Sequence, residues 1–214
     1  MPFDNAPDFF VKLHAAAMAA GADLTAANRG GYVFELAPTK RCIDARNLSQ
    51  AAAKYRLAKA FRSLTLEGYP ESSNTPQHYS AQVMMSLSVV AFEAYCRLFD
   101  EKWHRVYFDI ISSELATAHC ATFNEIPLDE KFFVRLKRAQ DEKLGANLIA
   151  KIEEFEGGEV RNLYAVAVGF RNAFSHGRLG TLEGTAEVGP CLRNFILEAI
   201  KLDCEQRFAT MTKK

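Results

Sequence analysis

The stretch from Thr75 to Phe99 limits what this chain can become more than any other. Thr75 and Pro76 suit a helix start: a threonine side chain accepts from an orphan backbone N–H, and proline at the first helical position has no N–H to waste. Behind them Val83, Met84, Leu87, Val90, Ala91, Ala94 and Leu98 cover more than one face of a helix. A helix that is apolar on several sides must be surrounded, which predicts a central element of a bundle. Its polar residues Gln82, Ser86, Glu93 and Arg97 mark one narrow stripe. Glu93 and Arg97, four apart in the favourable order, predict either a surface ion pair worth about 0.3–0.5 kcal/mol or a charged pair facing a cleft.

The remaining segments fit the same class. Residues 8 to 20 are alanine-rich, with Asp8 placed to cap a helix and Gly21 to end it. Asn28-Arg29-Gly30-Gly31 signals a turn, and Tyr32 to Leu36 reads as a short strand or an extended arm, which alone cannot make a sheet. Helical spacing returns from Cys42 to Leu66, with Lys54, Arg56, Lys59 and Arg62 as a solvated face. Gly68 to Asn74 is a linker between helices. Residues 101 to 122 predict a helix carrying Trp103, Val106, Ile110, Leu115 and Ala118. Another starts at Pro127-Leu128-Asp129 and passes through Phe132, Phe133 and Leu136 to Leu148 and Ile152, with a basic face at Lys131, Arg135, Lys137 and Arg138 balanced by acidic residues. Gly157-Gly158 breaks the chain before a helix from Glu159 to His176, and a glycine-rich loop leads to a last helix from Pro190 to near Met211. The expected fold is all-α: a single domain over 1–214, an antiparallel bundle with its core at 75–212 and extra N-terminal helical elements within 1–70.

Several chemistries are excluded. The 26 basic and 26 acidic side chains cancel, so nucleic acid could be held only by a local basic patch. The five cysteines (Cys42, Cys96, Cys120, Cys191, Cys204) are widely spaced with no C-x-x-C pair, which predicts free thiols in a reducing cytoplasm. An acidic N-terminus without a basic leader predicts no signal peptide, and the most apolar run, Val83 to Phe92, is too short to span a bilayer. The histidines show no H-x-x-x-H or H-E-x-x-H spacing and no paired pattern of the E-x-x-H kind, so no metal site is expected. Phosphate loops, nucleotide fingerprints and G-x-S-x-G elbows are absent, and no cofactor is expected.

What remains is Arg171-Asn172-Ala173-Phe174-Ser175-His176-Gly177. On a helix with Arg171 at zero, Ser175 falls near about 40°, Asn172 near 100° and His176 near 140°, while Phe170 and Phe174 lie opposite at about 260° and 300°. Four polar side chains thus share one arc, backed by two phenylalanines. Gly177 follows where a helix end favours a residue that tolerates positive φ. Arginine's planar fork matches phosphate oxygens and histidine titrates near neutrality, so the pair suits acid–base chemistry at a phosphate. Asn172, four residues before His176, is placed to orient one ring nitrogen. Higher on the same side lie Arg161, Tyr164, Ala165, Val168 and Gly169. The small residues would let another helix approach, and Arg161, Tyr164 and Arg178 are further candidate contacts.

The Arg-Asn-x3-His-Gly form resembles the active-site motif of the HEPN superfamily, an arginine followed after four to six residues by histidine. The resemblance covers about seven residues, and spacing alone does not single them out, since Arg97 and His104, with six residues between them, also fit it. It implies a dimeric helical bundle in which two copies of the motif meet in one cleft, and a metal-independent endoribonuclease leaving 2′,3′-cyclic phosphate ends. Arg171, His176 and Asn172 would then be catalytic, with Arg161, Tyr164, Ser175, Arg178 and Glu93 binding substrate; Glu93 is similar to an acidic position often found in the family. Toxin and defence roles common in the family imply an antitoxin or regulatory partner. The alternative is a helical module of the same fold that binds RNA or a protein without cutting. A third reading is an unrelated helical scaffold with an exposed, monomeric Arg–His arc.

Overall fold

The computed structural model describes residues 33–36, 41–65, 67–68, 74–99, 107–140, 145–175 and 185–211. The expected helix at 8–20 lies outside them. Every described element is helical except one hairpin. Strand β1 (Val33–Leu36) pairs antiparallel with β2 (Arg41–Asp44), with Val33 opposite Asp44 and Leu36 opposite Arg41. The extended segment at 33–36 therefore has a partner, taken from the start of what reads as the next helix. That helix, α1, begins only at Ala45 and runs to Ala60.

The chain forms two compact units, each assembled from separated segments. The first comprises residues 1–60, 90–111 and 197–214. In it α1 buries Ala51, Ala52, Tyr55 and Ala58, a stripe that recurs with helical period, and exposes Arg56 and Lys59. The end of α2 (Thr75–Cys96) adds Phe92 and Tyr95, and the second half of α8 (Thr185–Met211) adds Ile200 and Cys204. The Tyr95 hydroxyl donates to Asp203 at 2.7 Å, which gives a buried carboxylate a partner. The short helix α3 (Tyr107–Ile110) also belongs here. The expected continuous helix over 101–122 is broken after it. Ser112 caps α4 (Ser113–Asn124), its hydroxyl accepting from the Leu115 N–H at 3.2 Å. Glu114 in that first turn has its carboxyl held below the usual range by its own backbone N–H and by Ser112.

The second unit comprises residues 61–89 and 112–196. Here α4, α5 (Phe132–Arg138), α6 (Ala146–Glu156) and α7 (Leu163–Ser175) close around a cluster of rings. Phe132 meets Phe133 edge-on at 5.2 Å, Phe123 meets Phe155 at 5.7 Å, and Phe170 lies 6.5 Å from Phe132. Such pairs add about 0.5–1.5 kcal/mol each beyond the area they bury. The single helix expected from Pro127 is thus two, and Lys137 bridges them, 2.7 Å from Glu156. Gly158, at φ 105, ends α6: its N–H donates to Phe155 and the Glu159 N–H to Glu154, a closed C-terminal cap. A turn of 3-10 helix (Val160–Asn162) then leads into α7.

The last helix starts earlier than its proline suggests. It opens at Thr185 and carries Pro190 inside it, which forfeits one backbone hydrogen bond. Gly189, expected in a loop, is helical and buried because α2 crosses it there. A Cβ at Gly189 would lie 2.6 Å from both the Cβ and the carbonyl oxygen of Ala81. Gly189→Ala should therefore lower unfolding stability by about 1–3 kcal/mol in urea titrations, although alanine is the better helix former by about 1 kcal/mol.

Cys96, Cys120, Cys191 and Cys204 are free and buried. Burial pushes the Cys120 and Cys191 thiols up, and Cys191 is raised further by Cys120. The neutral thiols hold their protons longer folded than unfolded. Their contribution is full below the ordinary thiol pKa and is lost as pH rises through the elevated folded values. The melting temperature should fall more steeply between about pH 8 and 10 in the native chain than in a Cys120→Ala/Cys191→Ala variant.

Candidate functional site: the last turn of α7

Helix α7 is enclosed along most of its length. Leu163, Val166, Ala167, Phe170 and Ala173 are fully buried, and Tyr164, Ala165 and Val168 nearly so. Its small residues do admit close neighbours. A Cβ at Gly169 would lie 3.0 Å from Ile152 Cδ1 and 3.4 Å from Leu136 Cγ. The helices that approach closely are therefore α6 and α5 of the same chain. Tyr164, expected to meet a base, is 3% exposed.

Only the last turn emerges. Arg171 and Asn172 are half-buried and Ser175 is exposed, on the side away from the fully buried Phe170 and Ala173. The expected polar arc is present over these three residues. Phe174 departs from its expected anchoring role. It is half-buried, and its ring meets Tyr79 of α2 edge-on at 6.3 Å. His176 and Arg178 lie outside the described residues, as does His104. Arg161 sits in the 3-10 turn before α7, ten residues from Arg171, or about 15 Å along a helix axis. Glu93 belongs to the first unit, whereas the motif lies in the second.

Asn172 is held by a residue that sequence reasoning missed. Gln140, 3% exposed beyond the end of α5, donates through Nε2 to the carbonyls of Leu136 at 2.7 Å and Gly169 at 3.1 Å. Two carbonyl acceptors identify that atom as nitrogen, so Oε1 is left to accept from Asn172 Nδ2 at 3.2 Å. The Asn172 amide is thereby oriented and its carbonyl oxygen remains an acceptor. No sequence pattern marks Gln140, a single glutamine at a helix end whose role depends on a helix 29 residues away. The Ser175 hydroxyl donates to the Arg171 carbonyl at 3.0 Å, a local bond within the last turn.

A second polar feature lies on α2. Of the stripe read from the sequence, Arg97 is exposed but Gln82 is 2% exposed. His78 Nδ1, Gln82 Oε1 and Ser86 Oγ, one turn apart in succession, are buried and accept or donate no hydrogen bond among the described residues. Elsewhere in the unit a cavity of about 400 Å³ is lined by Arg62, Leu64, Pro76, Ser80, Met84 and Pro190. Its Ser80 hydroxyl is already engaged by the Pro76 carbonyl and the Leu64 N–H. None of the motif residues lines it.

Comparison with protein-family models, characterised proteins and solved structures returns no match. Among the described residues no helix is long and apolar enough to cross a membrane.

Losing the Gln140 amide leaves Asn172 without its partner in a half-buried site. Gln140→Ala should cost about 1–3 kcal/mol of unfolding stability, whereas Ser175→Ala should change it by less than about 0.5 kcal/mol. Chemical denaturation of the two variants beside the native chain measures both.

Proposed function

We propose that this protein is a metal-independent endoribonuclease of HEPN type that acts as a homodimer. The observation that carries the reading is the oriented Asn172 beside Arg171, on the one turn of α7 that leaves the core. Arg171 holds the scissile phosphate and stabilises the extra charge of the pentacoordinate transition state. His176, next in the chain after that turn, removes the 2′-hydroxyl proton or protonates the departing 5′-oxygen. Asn172 accepts from one ring N–H and so fixes which nitrogen faces the substrate. The 2′-oxygen bonds to phosphorus as the bond to the 5′-oxygen breaks, giving a 2′,3′-cyclic phosphate and a 5′-hydroxyl. One histidine cannot serve as base and acid in the same step. A second copy related by a two-fold axis supplies the other, which is why the reading includes a dimer.

A second reading is favoured by the bonds within the motif itself. Asn172 donates to Gln140 and Ser175 to a backbone carbonyl, so both also serve the helix end. A module that binds RNA or a protein without cutting would retain the same bonds. Cleavage separates the two readings. Full-length protein should cut single-stranded RNA in EDTA and leave 2′,3′-cyclic phosphate ends. His176→Ala and Arg171→Ala should each lower the rate by about 10²–10⁴-fold. Binding without cleavage selects the second reading, and cleavage that survives His176→Ala removes the first.

A further inference from the structure

We propose that Tyr79 is a substrate-binding residue on which a nucleobase of single-stranded RNA stacks, beside the phosphate held by Arg171. The inference rests on the ribonuclease reading and extends it to a second helix. Tyr79 is 44% exposed, and among the described residues it is the one aromatic side chain so far out of the core. Its place is set by α7: the Phe174 ring meets it edge-on at 6.3 Å. Phe174 and Arg171 are three residues apart on one helix, so their Cβ atoms are about 5–6 Å apart. The residue that braces the exposed ring is thus a near neighbour of Arg171 on α7. A phosphate ligand and an aromatic face on one side of a protein is how single strands are held without regard to sequence.

The edge-on contact also leaves the ring usable. A T-shaped contact leaves at least one face of Tyr79 uncovered by Phe174, while the brace limits the freedom lost when a base stacks. The surroundings favour a base over a protein partner. Ser175, next to Phe174 on α7, is exposed and polar, and among the described residues of this unit Val134 is the only other large exposed apolar side chain. One ring among polar groups is too little apolar surface for a stable protein interface, which needs on the order of 800 Å² from each partner. It is enough for one base.

The test is fluorescence anisotropy of the full-length protein in EDTA, with a labelled single-stranded RNA and with the same strand made abasic. His176→Ala serves as the non-cutting background. In that background Tyr79→Ala should weaken binding of the normal strand on the order of tenfold, and Tyr79→Phe should restore it. Binding of the abasic strand should be indifferent to all three side chains. Circular dichroism and sizing should be unchanged, since the ring is exposed. Equal binding by Tyr79→Ala and the parent overturns the stacking role while leaving the nuclease reading intact. A loss equally large on the abasic strand overturns it too, because the ring then acts on the backbone or the fold. A change in oligomeric mass in Tyr79→Ala would assign the ring to contact with a second copy. Failure of the parent to bind RNA removes the nuclease reading and this inference together.

Discussion

Gly169 sets the terms for the second unit. With Ile152 and Leu136 already within 3.4 Å of where a Cβ would stand, α6 and α7 cannot separate to admit a side chain without losing their packing. This close approach lets Phe155 and Phe170 fill the same interior, and it encloses α7 along most of its length. A helix buried that completely has nowhere to present chemistry except its ends. Its N-terminal end is occupied by the 3-10 turn and by Asn162, whose Nδ2 donates to Glu154 at 2.7 Å. The C-terminal turn is what remains. Arg171, Asn172 and Ser175 stand there because the rest of the helix is used for packing.

The bond from Gln140 to Asn172 follows from the same geometry. Gly169 has no side chain to keep α5 away, so the Gln140 amide can reach the Gly169 carbonyl at 3.1 Å. Once its nitrogen is committed to two carbonyls, its oxygen can only accept, and the neighbouring donor is Asn172. Packing and polarity are thus linked through three residues. A glycine permits the approach, a buried glutamine exploits it, and an asparagine next to the motif arginine is turned by the result. The orientation of Asn172 is therefore set by the unit's interior rather than by its own helix.

This explains which parts were legible in the sequence. Helices were legible wherever apolar residues recur at helical spacing, as in α2 and α7, because burial selects that period whatever the partner. The Arg171 arc was legible for the same reason, since angles along one helix depend on that helix alone. Breaks set by a single polar side chain were misplaced: Ser112 starts a new helix inside an otherwise periodic run. Partner-dependent features were not legible. Nothing in the segment around Gly169 says whether the helix that approaches is of the same chain or another, and it is α5 and α6 that use the space. Gly189, read as the end of a loop, lies in a helix where Ala81 passes close enough to require the glycine. The strand at Val33–Leu36 could not be weighed until Arg41–Asp44 was seen to pair with it.

The enclosure of α7 also narrows how a second copy could meet the first. A dimer through residues 165 and 169 would have to displace α5 and α6, and with them the aromatic cluster of Phe132 and Phe155. The cost would be that of unpacking a core, which no interface of ordinary size recovers. On the proposed reading the two motifs must therefore approach through their last turns, with Arg171 facing its counterpart across the substrate. Two guanidiniums brought together without an anion repel, and a bound phosphate reverses the sign of that interaction. A dimer of this kind would be tightened by the RNA it holds, so that the complete site forms only where there is a phosphate to act on.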